Sequence, residues 1–216
     1  MLPSIFITGT DTGVGKTLIS CALLQALAAQ ELKVIGMKPV ASGSEQTTEG
    51  LRNTDALALQ QAANVAADYS LINPYCFAPA IAPHLAARQA GVSIELPVLL
   101  SAYQQLQQRA EVVVVEGAGG FLTPINAQQS LADLAQQLAI PIILVVGMRL
   151  GCINHALLTV EAIQARGLRL AGWVANSLAP NMPHFAENLS SLQQAIDAPC
   201  LSVVPWQGEA QFNLTF

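Results

Sequence analysis

Residues 5–17 read "IFITGTDTGVGKT": the apolar run Ile5-Phe6-Ile7 leads straight into a glycine-rich loop that closes on Gly15-Lys16-Thr17. A strand, such a loop and then a helix form the arrangement that cradles phosphates. Counted back from Gly15-Lys16-Thr17, the first glycine of G-x-x-x-x-G-K-[ST] falls on Thr10, and Gly9 stands one residue earlier, so the loop is a longer variant. The physics survives the variation. Gly13 and Gly15 let the backbone turn so that successive amides face an anion, and the helix start adds its partial positive charge. Lys16 reaches the outer phosphates, and the Thr17 hydroxyl suits Mg²⁺. An ordinary glycine turn before a helix is the bland alternative, which spacing and context both disfavour.

Outward from this loop the chain alternates strand-like and helix-like segments. Strands are expected over 5–8, 34–38, 111–120, 140–146, 168–176 and 200–205, and helices over 16–30, 55–64, 98–109, 130–138, 153–167 and 185–196. Residues 39–53 read as a polar loop, and the Pro-rich stretch 71–97 as mostly irregular. Repeated β-then-α units predict a parallel sheet with right-handed crossovers. The expected fold is a three-layer α/β/α, P-loop NTPase-like domain, with residues 1–216 as one unit. Ligands of such sheets bind beyond the carboxyl ends of the strands. Residues 8–17, Lys38, Glu116, residues 146–151, Asn176 and Pro205 are therefore expected along one edge.

Composition agrees. Of 216 residues, 52% are hydrophobic and 11% charged, which favours a sheet covered on both faces. Nine basic residues stand against 14 acidic ones with no basic run, so a broad nucleic-acid footprint is not expected. No apolar stretch reaches membrane-spanning length, and no signal peptide is visible. Cys21, Cys76, Cys152 and Cys200 are scattered without a C-x-x-C pair, as in a reduced, cytoplasmic protein.

Glu116 ends the run Val112-Val113-Val114-Val115; a lone acid there could terminate the strand facing solvent, but in phosphate-loop proteins an acid at such a strand end usually serves the metal, and that reading is favoured. Gly117, Gly119 and Gly120 then permit close backbone approach. For Asp55, in the first turn of a helix, dipole compensation and ligand binding are both open readings. Lys38 is equally open between a solvated lysine and a cation for a transferring phosphoryl. The turn "GMRLGCINH" leads into a helix start able to hold an anion, or simply begins a helix. His84, His155 and His184 have no partner at triad or zinc spacing and read as structural.

Six segments in order, "GTDTGVGKT", "KPVASG", "GLRNTDALAL", "VVVVEGAGG", "ILVVGMRLGCINHALLT" and "LAGWVAN", resemble the dethiobiotin synthetase family, and the resemblance runs to "VVPW" at 203–206. It implies a homodimeric, Mg²⁺- and ATP-dependent ligase that converts 7,8-diaminononanoate and CO₂ to dethiobiotin. An amine takes up CO₂ as a carbamate, ATP phosphorylates the carbamate, and the second amine closes a cyclic urea.

Carried over by motif, Gly13, Val14, Gly15, Lys16, Thr17 and Leu18 would wrap the ATP phosphates, with Thr17, Asp55 and Glu116 around Mg²⁺. Lys38 would be the catalytic lysine, assisted by Lys16. Thr12 and Ser42 would meet the diamine, and Glu116, Gly117, Ala118 and Gly119 would line the pocket. Asn176, Ser177, Pro205, Trp206 and Gln207 would hold the adenine. Gly151, Cys152, Ile153 and Asn154 would bind the substrate carboxylate presented by the neighbouring subunit. Position 13, commonly acidic in the family, is glycine here, which leaves a backbone role only. The tail after Trp206 is short, and Glu209 is the nearest candidate for a further nucleotide contact of the family. Partitioning ATPases, the main rival, carry an extra lysine early in the loop, where this chain has Thr10, Asp11 and Thr12.

Overall fold

The structure, a computed structural model, describes residues 4–212; residues 213–216 of the tail lie outside the described residues. β1 (Ile5–Gly9) feeds the glycine loop and α1 (Lys16–Ala28), followed by β2 (Val34–Met37). An excursion then runs through β3 (Val40–Ser42), β4 (Glu45–Thr47), β5 (Gly50–Arg52), α2 (Thr54–Ala62), α3 (Tyr69–Ile72), β6 (Tyr75–Phe77), α4 (Pro83–Gln89) and α5 (Leu96–Gln107). The chain returns through β7 (Val112–Gly120), α6 (Leu131–Leu138), β8 (Ile142–Met148), α7 (Cys152–Gln164), β9 (Leu170–Ser177), α8 (Phe185–Ala195) and β10 (Cys200–Val204).

Six strands form one sheet in the order β10-β9-β8-β1-β7-β2, every pair parallel. Alternate residues of each strand feed opposite faces. Ile7, Val34, Val112, Val114, Val145 and Val174 pack with Leu23 and Leu24 of α1 and Leu59 of α2. Phe6, Ile35, Met37, Val113 and Val115 pack instead with side chains of α5 and α6. Trp173, Leu144 and Val146 extend that second face beneath α7 and α8. Both faces are covered, as continuous apolar strands require, and the three-layer α/β/α expectation holds.

The excursion holds more regular structure than its sequence suggests. Residues 39–53 hold three short strands: β4 and β5 form an antiparallel hairpin, while β3 pairs parallel with β6. Within 71–97 the chain is not mostly irregular, since it carries β6, α4 and the first residues of α5. Three-residue strands are too short to show a period-2 pattern. The start of α4 was legible in principle, because Pro83 occupies its first turn, where proline is at home.

One packing detail positions the later site. A Cβ on Gly36 of β2 would stand 2.7 Å from the Leu59 Cβ and 3.1 Å from Leu24 Cδ1. The glycine thus allows α1 and α2 to press together onto the sheet. Gly36→Ala is expected to lower unfolding free energy by about 1–3 kcal/mol through overpacking, read as a shift in denaturation midpoint. A midpoint equal to that of the parent would show that the helices yield without cost.

Candidate functional site

The same alternation that buries Val112 and Val114 against α1 sends Glu116 toward that helix. Its side chain is fully buried, and Glu116 Oε1 accepts from the Thr17 hydroxyl at 2.9 Å. Lys38 follows β2 in the parity of Val34 and Gly36, and its ammonium arrives at the same place. Lys38 Nζ donates to Glu116 Oε1 at 2.5 Å, to Asp55 Oδ2 at 2.9 Å and to the Gly117 carbonyl at 3.3 Å. Asp55 reaches it from the first turn of α2, which Asn53 caps by accepting from the Asp55 and Ala56 amides. Asp55, Lys38 and Glu116 are thus joined from three separate elements.

Burial alone would lower the Lys38 pKa, but the Glu116 and Asp55 carboxylates outweigh it and hold the ammonium above its ordinary value. Burial would raise Asp55; the charge and hydrogen bond of Lys38 reverse this and hold its carboxyl below the usual range. Lys16 behaves oppositely. Burial first, and then repulsion from Lys38, bring it down to about 8. Two lysines therefore share one small region, both cationic at neutral pH, with Lys16 the more easily deprotonated. Glu116 Oε2 is buried with no hydrogen-bond partner among the described groups.

The glycine loop is held at both ends. Thr10 N–H donates to the Val145 carbonyl at 3.0 Å, and the Thr10 hydroxyl accepts from Gly147 N–H at 3.3 Å. Asn176 Nδ2 donates to the Val14 carbonyl at 2.8 Å. Lys16 Nζ donates to the Asp11 carbonyl at 3.0 Å, bracing the loop from inside. Gly13 and Gly15 have φ of 72° and 94°, in the left-handed region that the sequence reading required of a turning loop. The first helical amide to find a carbonyl one turn back is that of Ile19, on Gly15. The amides of the preceding turn point out of the helix, as at any helix start.

These groups line a cleft of about 750 Å³, with Thr12, Gly13, Gly15, Lys16, Thr17, Lys38, Ser42, Asp55, Glu116, Ala118 and Gly119 in its wall. The far wall is Ala80, Ile81, Ala82 and Pro83, with Thr123 and Pro124 beside them. A family model described as an AAA domain matches residues 3–212. The ATP-dependent dethiobiotin synthetase BioD 1 of Escherichia coli O157:H7 is 53% identical over 208 residues, 96% of this chain and 92% of that one. That of Xanthomonas oryzae pv. oryzae (strain PXO99A) is 50% identical over 209 residues, covering 97% and 93%.

The chain belongs to the ATP-dependent dethiobiotin synthetase family.

As a member of that family it is an ATP-dependent ligase of the biotin pathway. Solved structures of lower identity share its fold alone. The MinC:MinD cell division protein complex of Aquifex aeolicus superposes with a TM-score of 0.59 at 15% identity, over 95% of this chain and 81% of that one. MinD complexed with Mg-ADP from Pyrococcus horikoshii OT3 gives 0.56 at 16% identity, over 94% and 82%.

Not every residue that the dethiobiotin synthetase resemblance names lies in the cleft wall. The Val14 side chain is buried in the core, and Leu18 is exposed. Gly117 enters through its carbonyl on Lys38. Asn176 and Ser177 are the last two residues of β9, behind the loop, while Pro205, Trp206 and Gln207 follow β10 at the sheet's far edge. Gly151, Cys152, Ile153 and Asn154 form the start of α7, outside the cleft. Cys152 is buried in the core. The wall at 80–83 and Thr123 carry no charge or motif that marks them in the sequence. Arg149 lies in the turn expected along this edge, and its guanidinium pairs with Asp11 of the loop, a role that a lone cation after a strand does not by itself specify.

Proposed function

We propose that the cleft carboxylates and cyclises 7,8-diaminononanoate, with ATP as phosphoryl donor and dethiobiotin, ADP and phosphate as products. The observation that carries this reading is the buried Lys38 ammonium beside Lys16, both lysines opening onto the glycine loop. One amine of the diamine attacks CO₂ and loses a proton, giving a carbamate. A carbamate oxygen takes the γ-phosphoryl of ATP and ADP leaves. The second amine then attacks the carbamoyl carbon, the C–O bond to phosphate breaks, and a cyclic urea closes. Because both amines belong to one bound molecule, closure is intramolecular and gains the advantage of proximity.

In this reading Thr12 and Ser42 hold the diamine, and the Ser42 hydroxyl, buried in the cleft wall without a partner, is ready to do so. Lys38 lies against the carbamate and γ-phosphate, and Lys16 spreads charge on the outer phosphates, which is what a loose phosphoryl transition state requires. Only a neutral amine attacks CO₂, and two nearby cations disfavour an ammonium on the substrate. Asn176, Ser177, Pro205, Trp206 and Gln207 hold the adenine.

The residues present fit Mg²⁺. The Thr17 hydroxyl, Asp55 and Glu116 offer hard oxygen donors at one point, including the unpartnered Glu116 Oε2. When bound, the ion would neutralise charge on the phosphates. Among the described residues no group of three His, Cys, Asp or Glu gathers anywhere, which suits an ion that keeps water and phosphate oxygens as its other ligands. We further propose a cytoplasmic homodimer in which the α7 start, where Leu150 is 97% exposed, meets the partner's substrate. No described helix is long and apolar enough to cross a membrane.

The test is ADP release from Mg²⁺-ATP with bicarbonate or diamine omitted in turn, with the product weighed. Release is expected only with both present, giving a product one carbonyl heavier and two hydrogens lighter than the diamine. Release indifferent to the diamine would return the loop to a nucleotide switch.

A further inference from the structure

Asp55 and Lys38 come from different elements, yet one half-buried hydroxyl touches the supports of both. The Asn53 amide donates to the Tyr69 hydroxyl at 2.7 Å, while Asn53 Oδ1 accepts from the amides of Asp55 and Ala56 at 3.1 and 3.3 Å. The same hydroxyl donates to Asn73 Oδ1 at 3.2 Å, and Asn73 Nδ2 donates to the Lys38 carbonyl at 2.7 Å and to that of Tyr75 at 3.1 Å. The Ile72 carbonyl accepts the Lys38 amide at 2.7 Å. Lys38 is thus pinned through both of its backbone polar groups by the end of α3, and the α2 cap is pinned by its beginning. Asn53 and Asn73 are buried, so a lost partner is not replaced freely by solvent.

We propose that Tyr69 is a positioning residue that fixes Asp55 relative to Lys38, and so sets the geometry of the reacting centre; this rests on the reaction proposed above. A phenol has one proton to give and lone pairs to receive, which matches one donor bond to Asn73 and one acceptor bond from Asn53. Burial raises the Tyr69 phenol to about 12, so the donor is retained at any working pH. The ring itself lies 4.2 Å beneath the Arg52 guanidinium, an interaction that does not use the hydroxyl. Removing the oxygen therefore leaves the ring packed and cuts this link, together with a 3.9 Å contact to Cys76 Sγ.

The experiment compares Tyr69→Phe, Asn73→Ser and Arg52→Gln with the parent in steady-state turnover, and follows amide hydrogen exchange at Asp55 and Ala56. Tyr69→Phe is expected to lower kcat about 10- to 100-fold, since small misplacements of reacting groups cost on that order. KM for ATP should stay within about twofold, because the glycine loop is untouched. Exchange at Asp55 and Ala56 should quicken. Asn73→Ser should lower kcat without quickening that exchange, and Arg52→Gln should leave kcat unchanged. A Tyr69→Phe enzyme with parental kcat overturns the inference, as does a rise in KM for ATP alone. An equal loss in Arg52→Gln also overturns it, because the segment would then matter only for general stability. Should the parent itself form no dethiobiotin, the proposed reaction fails; parental turnover with an indifferent Tyr69→Phe fails this inference alone.

Discussion

Lys38→Met is expected to yield a protein about 3 kcal/mol less stable and about 10²- to 10³-fold slower in product formation. Lys38 is 4% exposed and Glu116 is 0% exposed, so their pair lies out of water. Removing one partner of such a pair leaves an uncompensated buried charge, typically costing 3–5 kcal/mol. Asp55, at 42% exposed, recovers its hydration and adds little to the loss. The rate follows from a separate cause, because a preorganised cation facing a developing phosphoryl charge accelerates the step by orders of magnitude. The two effects separate in Lys38→Met/Glu116→Gln: denaturation should show most of the stability restored, while turnover stays lost. A double variant as unstable as the single one would mean that the pair's charge is not what Lys38 protects.

Gly15→Ala is expected to weaken ATP binding about 100-fold. Gly15 sits at φ 94°, and a Cβ there would stand 2.2 Å from Asn176 Nδ2. The left-handed backbone costs an L-residue about 1–2 kcal/mol. Displacing Asn176 adds about 1 kcal/mol for its bond to the Val14 carbonyl. Every 1.4 kcal/mol is tenfold in affinity, so the sum corresponds to about 100-fold. Calorimetric titration with a non-hydrolysable ATP analogue reads it directly. In a Gly15→Ala/Asn176→Gly background the clash is gone, but the backbone cost and the lost bond to the Val14 carbonyl both remain, so affinity should stay about 100-fold weak. Full affinity in Gly15→Ala would mean that the loop amides do not depend on this turn.

What could be read from the chain beforehand follows its physics. Strands buried on both faces are continuous apolar runs, so β1, β7 and β8 announce themselves, and the acid closing Val112-Val113-Val114-Val115 stands out against them. The glycine loop is local, and so it was legible down to Gly13 and Gly15. Lys38 and Asp55 were open on residue type alone, because what joins them is a contact across 17 positions that no spacing rule encodes. The excursion between β2 and β7 was largely hidden: its elements are short, and Tyr69, Asn53 and Asn73 gain their meaning only when three separate turns meet. The wall at 80–83 is small apolar chain with no chemistry of its own, visible only as a surface.

Pleat parity has a consequence for how this chain tolerates change. Lys38 stands two residues past Gly36, Glu116 two past Val114 and Asn176 two past Val174, each on the α1 side of the sheet. A strand that gains or loses a single residue ahead of these positions turns the side chain to the face of α5, α6, α7 and α8, among apolar neighbours. Even counts preserve the aim, and odd counts abolish it. The sheet therefore works as an indexed rack in which side-chain identity is negotiable by degrees but residue count within a strand is not. Length variation in this chain belongs in the turns, such as the β4–β5 hairpin, where no functional side chain takes its direction from the pleat.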